Sequence, residues 1–157
     1  MPEAIDLVSG YLEERGIDYE VVEHEQRFTA AAEARASGVE PANAAKDVVL
    51  RSGTDFILAV IPASERLDLT KVRELIDDEE RPRLASEEEI ADRFPRFEVG
   101  ALPPFGPMHG IDELVDRRLL DHDRVLCAGG DHRHSVRVDP AELVGPDQAT
   151  VADLCLE

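Results

Sequence analysis

Lys46 is one of only two lysines in the chain, with Lys71, against fifteen arginines. It opens the stretch AKDVVL, beside the most buried-looking strand, where a compact ammonium stands in place of a planar guanidinium. Two readings stay open: a solvated strand-end cation, or a lysine retained for its concentrated charge. A second constellation is GALPPFG at residues 100 to 106. Proline locks φ and removes an N–H, whereas glycine opens regions closed to other residues. Gly100, Ala101, Leu102, Pro103, Pro104, Phe105 and Gly106 therefore specify a stiff loop, either a plain turn or the wall of a ligand site. The third is GGDHRHSVRVD, in which His132 and His134 stand two positions apart and would share one face of a strand.

That histidine pair raises the question of a metal. No third ligand stands at a recognised spacing, and His24, His109 and His122 are scattered, so no metal and no other cofactor is expected. Gly129 and Gly130 carry more information, because paired glycines at a strand corner make a tight bend or admit a ligand close to the backbone. GxSxG, P-loop and GxGxxG patterns are missing. Cys127 and Cys155 form no CxxC pair and have no helper nearby, so a covalent nucleophile is not expected. The acids at 87 to 89 are explained by their place at a helix N-terminus.

The elements that must position these residues follow from local pattern. Ile5, Leu7, Val8, Tyr11 and Leu12 make an apolar helical stripe ended at Gly16. YEVVEH, residues 19 to 24, reads as a strand, and Thr29 caps a helix over TAAAEARASG that stops at Gly38. KDVVLRSGTDFILAVIP is a hairpin turning at Ser52-Gly53-Thr54, and its strands are expected to be central. LDLTKVRELID reads as a short helix, Ser86 with Glu89 as a capping box, and DDEERPR as a surface loop. RVLCAGG and HRHSVRVD form a second strand pair, and PAELVG and VADLCLE read as C-terminal helical turns. The whole is a mixed α/β domain, not a regular βαβ alternation.

At 157 residues one domain is expected. Charges interrupt every apolar run, so no membrane span is expected, and the acid-bearing start does not resemble a secretory signal. A cytoplasmic protein with reduced thiols follows as an expectation. The formal net charge of −18 comes from 35 acids against 17 bases. That balance argues against broad nonspecific nucleic-acid binding, and with so few lysines it suggests adaptation to concentrated salt.

In chain order, AAKDVVL, the hairpin ending AVIPA, LASEEEI, VGALPPFGPMHGI and AGGDHRHSVRV resemble the YbaK/ProX family of aminoacyl-tRNA deacylases. The resemblance covers most of the chain. It implies a compact single domain over residues 1–157, with a mixed, barrel-like β-sheet flanked by helices. It further implies hydrolysis in trans of the ester of a tRNA mischarged with a small amino acid, by a free-standing relative of the editing domain found in some bacterial prolyl-tRNA synthetases. Lys46 matches the family's functional lysine, Gly100 to Pro104 its GxxxP loop, and Gly129 with His132 its glycine–histidine segment. The implied partners are the acceptor end of an aminoacyl-tRNA and an aminoacyl-tRNA synthetase.

On this resemblance Lys46 anchors the terminal phosphate or the aminoacyl end, facing the loop across a shared cavity. The loop offers backbone groups to the ester, and Arg51, Arg133 and Arg137 are the cations expected to flank Lys46. Pro103 departs from the serine or other small residue of many relatives, so amino-acid specificity does not carry over. The competing class is a noncatalytic module on the same fold, binding an aminoacyl or nucleotide-like ligand or a protein.

Overall fold

The computed structural model describes residues 3–76, 81–145 and 149–157. Helix α1, Ala4–Glu14, buries Ile5, Val8 and Leu12, the stripe that its spacing announces. Strand β1, Tyr19–Glu23, follows. Helix α2, Ala30–Ala36, begins where the Thr29 side chain accepts from the Ala32 N–H. The hairpin of β2, Ala45–Ser52, and β3, Asp55–Pro62, turns as expected, with Gly53 at φ +61°. Asp68 caps α3, Leu69–Leu75. After the short β4, Arg83–Leu84, Ser86 and Glu89 close a reciprocal capping box on α4, Glu87–Arg93. Part of DDEERPR lies outside the described residues.

The short helix α5, Gly106–His109, leads to β5, Asp112–Asp116. Strands β6, Val125–Ala128, and β7, His134–Val138, pair antiparallel about the glycine corner. Helix α6, Ala141–Val144, takes up PAELVG. The expected helical turn over VADLCLE is not found. Ala149–Ala152 instead forms β8, a parallel edge strand on β5, and Cys155 bridges Leu67 beyond it. Thr150 and Val151 are β-branched, and an open sheet edge outweighs the weak helical pattern of so short a segment.

The strands lie in a three-stranded sheet, β1-β7-β6, and a five-stranded mixed sheet, β4-β2-β3-β5-β8. The mixed α/β class is as expected. The sheets are not closed into a barrel: among the described residues they meet at a single bridge from Ala44 to Leu126. Strand alternation divides the interior. Ala45, Val49, Leu58 and Val60 face α1, the loop after α4 and the smaller sheet, while Leu50, Ile57, Ala59 and Ile61 face α3 and the C-terminal tail. Among the described residues no helix is long and apolar enough to cross a membrane.

Gly129 is required for what it lacks. A Cβ there would stand 2.7 Å from the His134 carbonyl oxygen and 2.9 Å from its carbon, both backbone atoms of the same corner. Gly129→Ala is expected to lower the thermal midpoint by roughly 2–12 °C, the range that overpacking by a methyl brings in a chain of this size. A scanning-calorimetry midpoint equal to that of the parent would show that the corner can open.

Candidate functional site

The segment from Glu98 to Gly106 is tied to its surroundings at almost every residue. Glu98 N–H donates to Gly130 O (2.9 Å), Gly130 N–H to Ala101 O (3.0 Å) and Ala101 N–H to Glu98 O (3.0 Å). Farther along, His109 Nε2 donates to Pro103 O (2.9 Å) and Gly106 N–H to Glu113 Oε1 (2.9 Å). Pro103 and Pro104 carry no N–H, and Phe105 N–H is taken by Pro103 O at 2.9 Å. Among the described residues this segment therefore keeps three main-chain donors without a partner, the N–H groups of Val99, Gly100 and Leu102. Gly100 is exposed, whereas Ala101 to Gly106 are all buried, so it is the free donor of Leu102 that is costly unless a ligand takes it.

His132 holds the start of this loop. Its Nε2 donates to Val99 O (2.8 Å), its main-chain N–H to Glu98 Oε2 (3.0 Å), and its Nδ1 lies 3.2 Å from Glu33 Oε1. The exposed Phe28 ring covers the imidazole at a centroid distance of 5.2 Å. Gly100, at φ +88°, presses against the ring: a Cβ would stand 3.3 Å from His132 Cε1. The structure thus brings together Gly100–Gly106 and the segment of Gly129 and His132, two of the three constellations singled out in the sequence.

Behind the loop lies a layer of carboxylates. Glu113 is 2% exposed; its Oε1 receives Gly106, its Oε2 has no partner, and burial lifts its pKa to about 8. Asp47 has both oxygens shielded and unpartnered, and burial, with Glu113 and Glu33 nearby, holds its carboxyl well above the usual range. Burial likewise raises Glu33. The thiol of Cys127 is pushed up by the same apolar surroundings, with Asp47 and Glu113 adding to it, so it is protonated and unsuited to attack.

Lys46 is not brought to this loop. On β2 it follows Val48 and Leu50 to the opposite face from Asp47, because successive side chains alternate. Its Nζ donates to Glu65 O at 2.8 Å, and burial together with the neighbouring Arg66 lowers its pKa. The expected hollow shared by Lys46 and the loop is thus divided by the sheet itself. Nor do the expected arginines flank it. Arg51 sits at the far end of β2 and pairs with Glu89 at 3.1 Å, while Arg133 and Arg137 belong to the corner and strand of the other sheet. Arg66 takes that place.

His132 and His134 also part company. Only His134 belongs to β7, and its ring binds Asp131 (2.9 Å) and Glu23 (3.2 Å), away from His132. Among the described residues no group of three or more His, Cys, Asp or Glu side chains is arranged to hold a metal ion. A cleft of ≈ 490 Å³ runs beside the corner and is lined by Phe97, Gly130, Asp131 and Arg133. A larger one, ≈ 770 Å³, lies between residues 120–123 and 139–145, away from every candidate residue, and is not the site favoured by the chemistry.

Sequence reasoning missed Phe28, Glu33, Asp47 and Glu113. Asp47 left a trace, an acid inside an otherwise apolar strand; Glu33, in an alanine-rich helix, left none.

The family model for the aminoacyl-tRNA editing domain matches residues 24–145. A solved structure assigned as a trans-editing enzyme for prolyl-tRNA synthetase is 31% identical, covering 100% of this chain and 99% of that one, with a TM-score of 0.86. A scaffold protein used for grafting linear epitopes is 30% identical over 100% and 99% of the two chains, also at TM-score 0.86. A hypothetical protein matches at 27% identity, covering 96% and 99%, with a TM-score of 0.85. No curated protein matches significantly. A family model spanning well over half of the residues, and solved structures matching end to end, carry one conclusion: the chain belongs to the aminoacyl-tRNA editing domain family, and its segments place it with the YbaK/ProX-like members.

Proposed function

We propose that residues 1–157 form one editing domain that acts in trans, hydrolysing the ester of a tRNA mischarged with a small amino acid. The observation that carries the reading is a loop held by partners at both ends that leaves two neighbouring donors unspent, Leu102 N–H on a buried residue and Gly100 N–H at its exposed edge. Donors fixed in advance at a developing oxyanion stabilise it without reorganising during reaction. Water adds to the carbonyl carbon, the ester C–O bond breaks, and the ribose oxygen leaves with the proton that water gives up. Free amino acid and tRNA result. Cys127 and Cys155 are both buried, and no side-chain nucleophile is needed for an ester already reactive and held in place.

Removal of a small wrong amino acid after its attachment, as the family resemblance implies, is a second sieve. Such a second sieve is useful because one methylene supplies only about 10–200-fold discrimination in a binding pocket. Lys46, with Arg66 beside it, serves from the other face as an anchor for phosphate, not as a proton-transfer base. The partners of this reading are the acceptor end of an aminoacyl-tRNA and the synthetase that supplies it.

A second reading, a noncatalytic module, is favoured by the charge of −18 and by Pro103 in the loop. Incubation with alanyl-, cysteinyl- and prolyl-tRNA over a range of salt concentrations separates the two. Release of free amino acid above the spontaneous rate is the expected result. Binding without release at every salt concentration would make the chain a module.

A further inference from the structure

The Glu33–His132 contact joins helix α2 to the loop across 99 positions of sequence. Both side chains are buried, at 4% and 6% exposure, and Phe28 closes the ring's outer face. Glu33 is surrounded by further acids, Asp131 on the corner, Glu98 at the start of the loop and Asp47 on β2, and His132 offsets them. The imidazole is thus held between two acceptors, the Glu33 carboxylate and the Val99 carbonyl.

Counting protons decides what this arrangement can do. With Glu33 neutral, its O–H donates to Nδ1 while Nε2–H donates to Val99 O. If the shared proton moves to Nδ1, an imidazolium donates to both sides. Either way both bonds are made. Once the shared proton is lost, one ring N–H must serve two acceptors. It either keeps Val99 and turns the Nδ1 lone pair on the carboxylate, or keeps Glu33 and turns the Nε2 lone pair on the Val99 oxygen.

We infer that Glu33 is a positioning residue: through one proton shared with His132, it latches Val99 and so holds the Gly100 and Leu102 N–H groups in place. Gly100 transmits the latch directly, because it packs on the ring in a left-handed conformation that a displaced Val99 would not preserve. Burial raises Glu33 above the usual carboxylate range. The latch is therefore complete at mildly acidic pH and loses one of its two bonds as pH rises through the titration of Glu33. The surrounding acids, all repelling a charge on Glu33, work in the same direction.

The kinetic arm of the test rests on the deacylase reading; the spectroscopic arm does not. In 15N-labelled protein, the Gly100 and Leu102 amide resonances are expected to move between acidic and alkaline pH in wild type and to stay in place in Glu33→Gln, whose amide donates to Nδ1 without titrating. For alanyl-tRNA, the ratio of catalysed to spontaneous hydrolysis in wild type should fall roughly tenfold or more above the titration of Glu33, part of the loss expected for an oxyanion donor. Glu33→Gln should show no such limb, and Glu33→Ala should be lower at every pH. Gly100 and Leu102 amide resonances that move alike with pH in wild type and Glu33→Gln would overturn the latch, as would identical pH–rate profiles. If no aminoacyl-tRNA is cleaved, the spectra of the wild type and the glutamine variant decide alone.

Discussion

Replacing Lys46 by alanine is expected to lower kcat/KM for aminoacyl-tRNA about tenfold to a hundredfold, which corresponds to losing one hydrogen bond to a charged group. Most of the loss should appear in KM. The ammonium lies on the sheet face away from the loop and shares its neighbourhood with Arg66, so under the proposed function its partner is a phosphate and not the reacting carbonyl. A phosphate held equally in the ground and transition states changes binding and leaves the chemical step alone. Steady-state kinetics over a substrate series, with a melting curve for each variant, separates these effects. The fold should survive, since the side chain is half-buried and its one hydrogen bond is to Glu65 O. A kcat that collapses at unchanged KM would place the ammonium at the ester and contradict the position described here. Unchanged kinetics would remove Lys46 from the site altogether.

Stability should fall as pH rises from about 4.5 to about 8, opposite to the usual behaviour of a carboxylate-rich chain. Glu113 holds its proton in the folded state up to about 8, while the unfolded chain releases it near the usual 4.5. The native state therefore binds more protons across that window, and each step up in pH favours unfolding. Asp47 acts in the same sense, for the same reason of burial. The full excursion of Glu113 corresponds to at most about 5 kcal/mol, less whatever the neighbouring acids concede to one another. Below the window the trend reverses. Asp153, held low by Arg118 and Lys71, and Glu89, held low by Arg83, contribute stability that is lost as pH falls through their folded-state values.

The sharpest test is Glu113→Gln, which keeps an oxygen for the Gly106 N–H and removes the charge. It should raise the chemical-denaturation free energy at pH 8 by roughly 1–3 kcal/mol and change little at pH 5. A wild-type stability that rises steadily from pH 5 to pH 8 would show that these carboxylates are solvated in the native protein.

Much of the fold is legible because its signals are local. Ser86 and Glu89 are three residues apart and cap one another; Thr29 reaches the N–H of Ala32; Gly53 turns the hairpin between two runs of β-branched residues. Each is decided within a few residues, before the rest of the chain is placed. VADLCLE misleads because its outcome depends on a partner 36 or more positions away, the edge of β5, which offers parallel hydrogen bonds no helical turn can match. Glu113 escapes notice because only pairing with β3 on one side and β8 on the other turns DELVD into an inner strand.

The order of motifs along the chain determined the family, and the composition of GALPPFG determined a stiff loop, since proline and glycine restrict backbone angles wherever they stand. Which groups face that loop was decided only in three dimensions. Adjacent residues on a strand point to opposite faces, so Lys46 and Asp47 exchange the roles their chemistry suggests: the cation turns away and the acid turns in. The pairing of Glu33 with His132 had no trace in the sequence at all, because it arises from helix α2 packing over the corner between β6 and β7, and burial there, not residue type, sets what the two side chains can share.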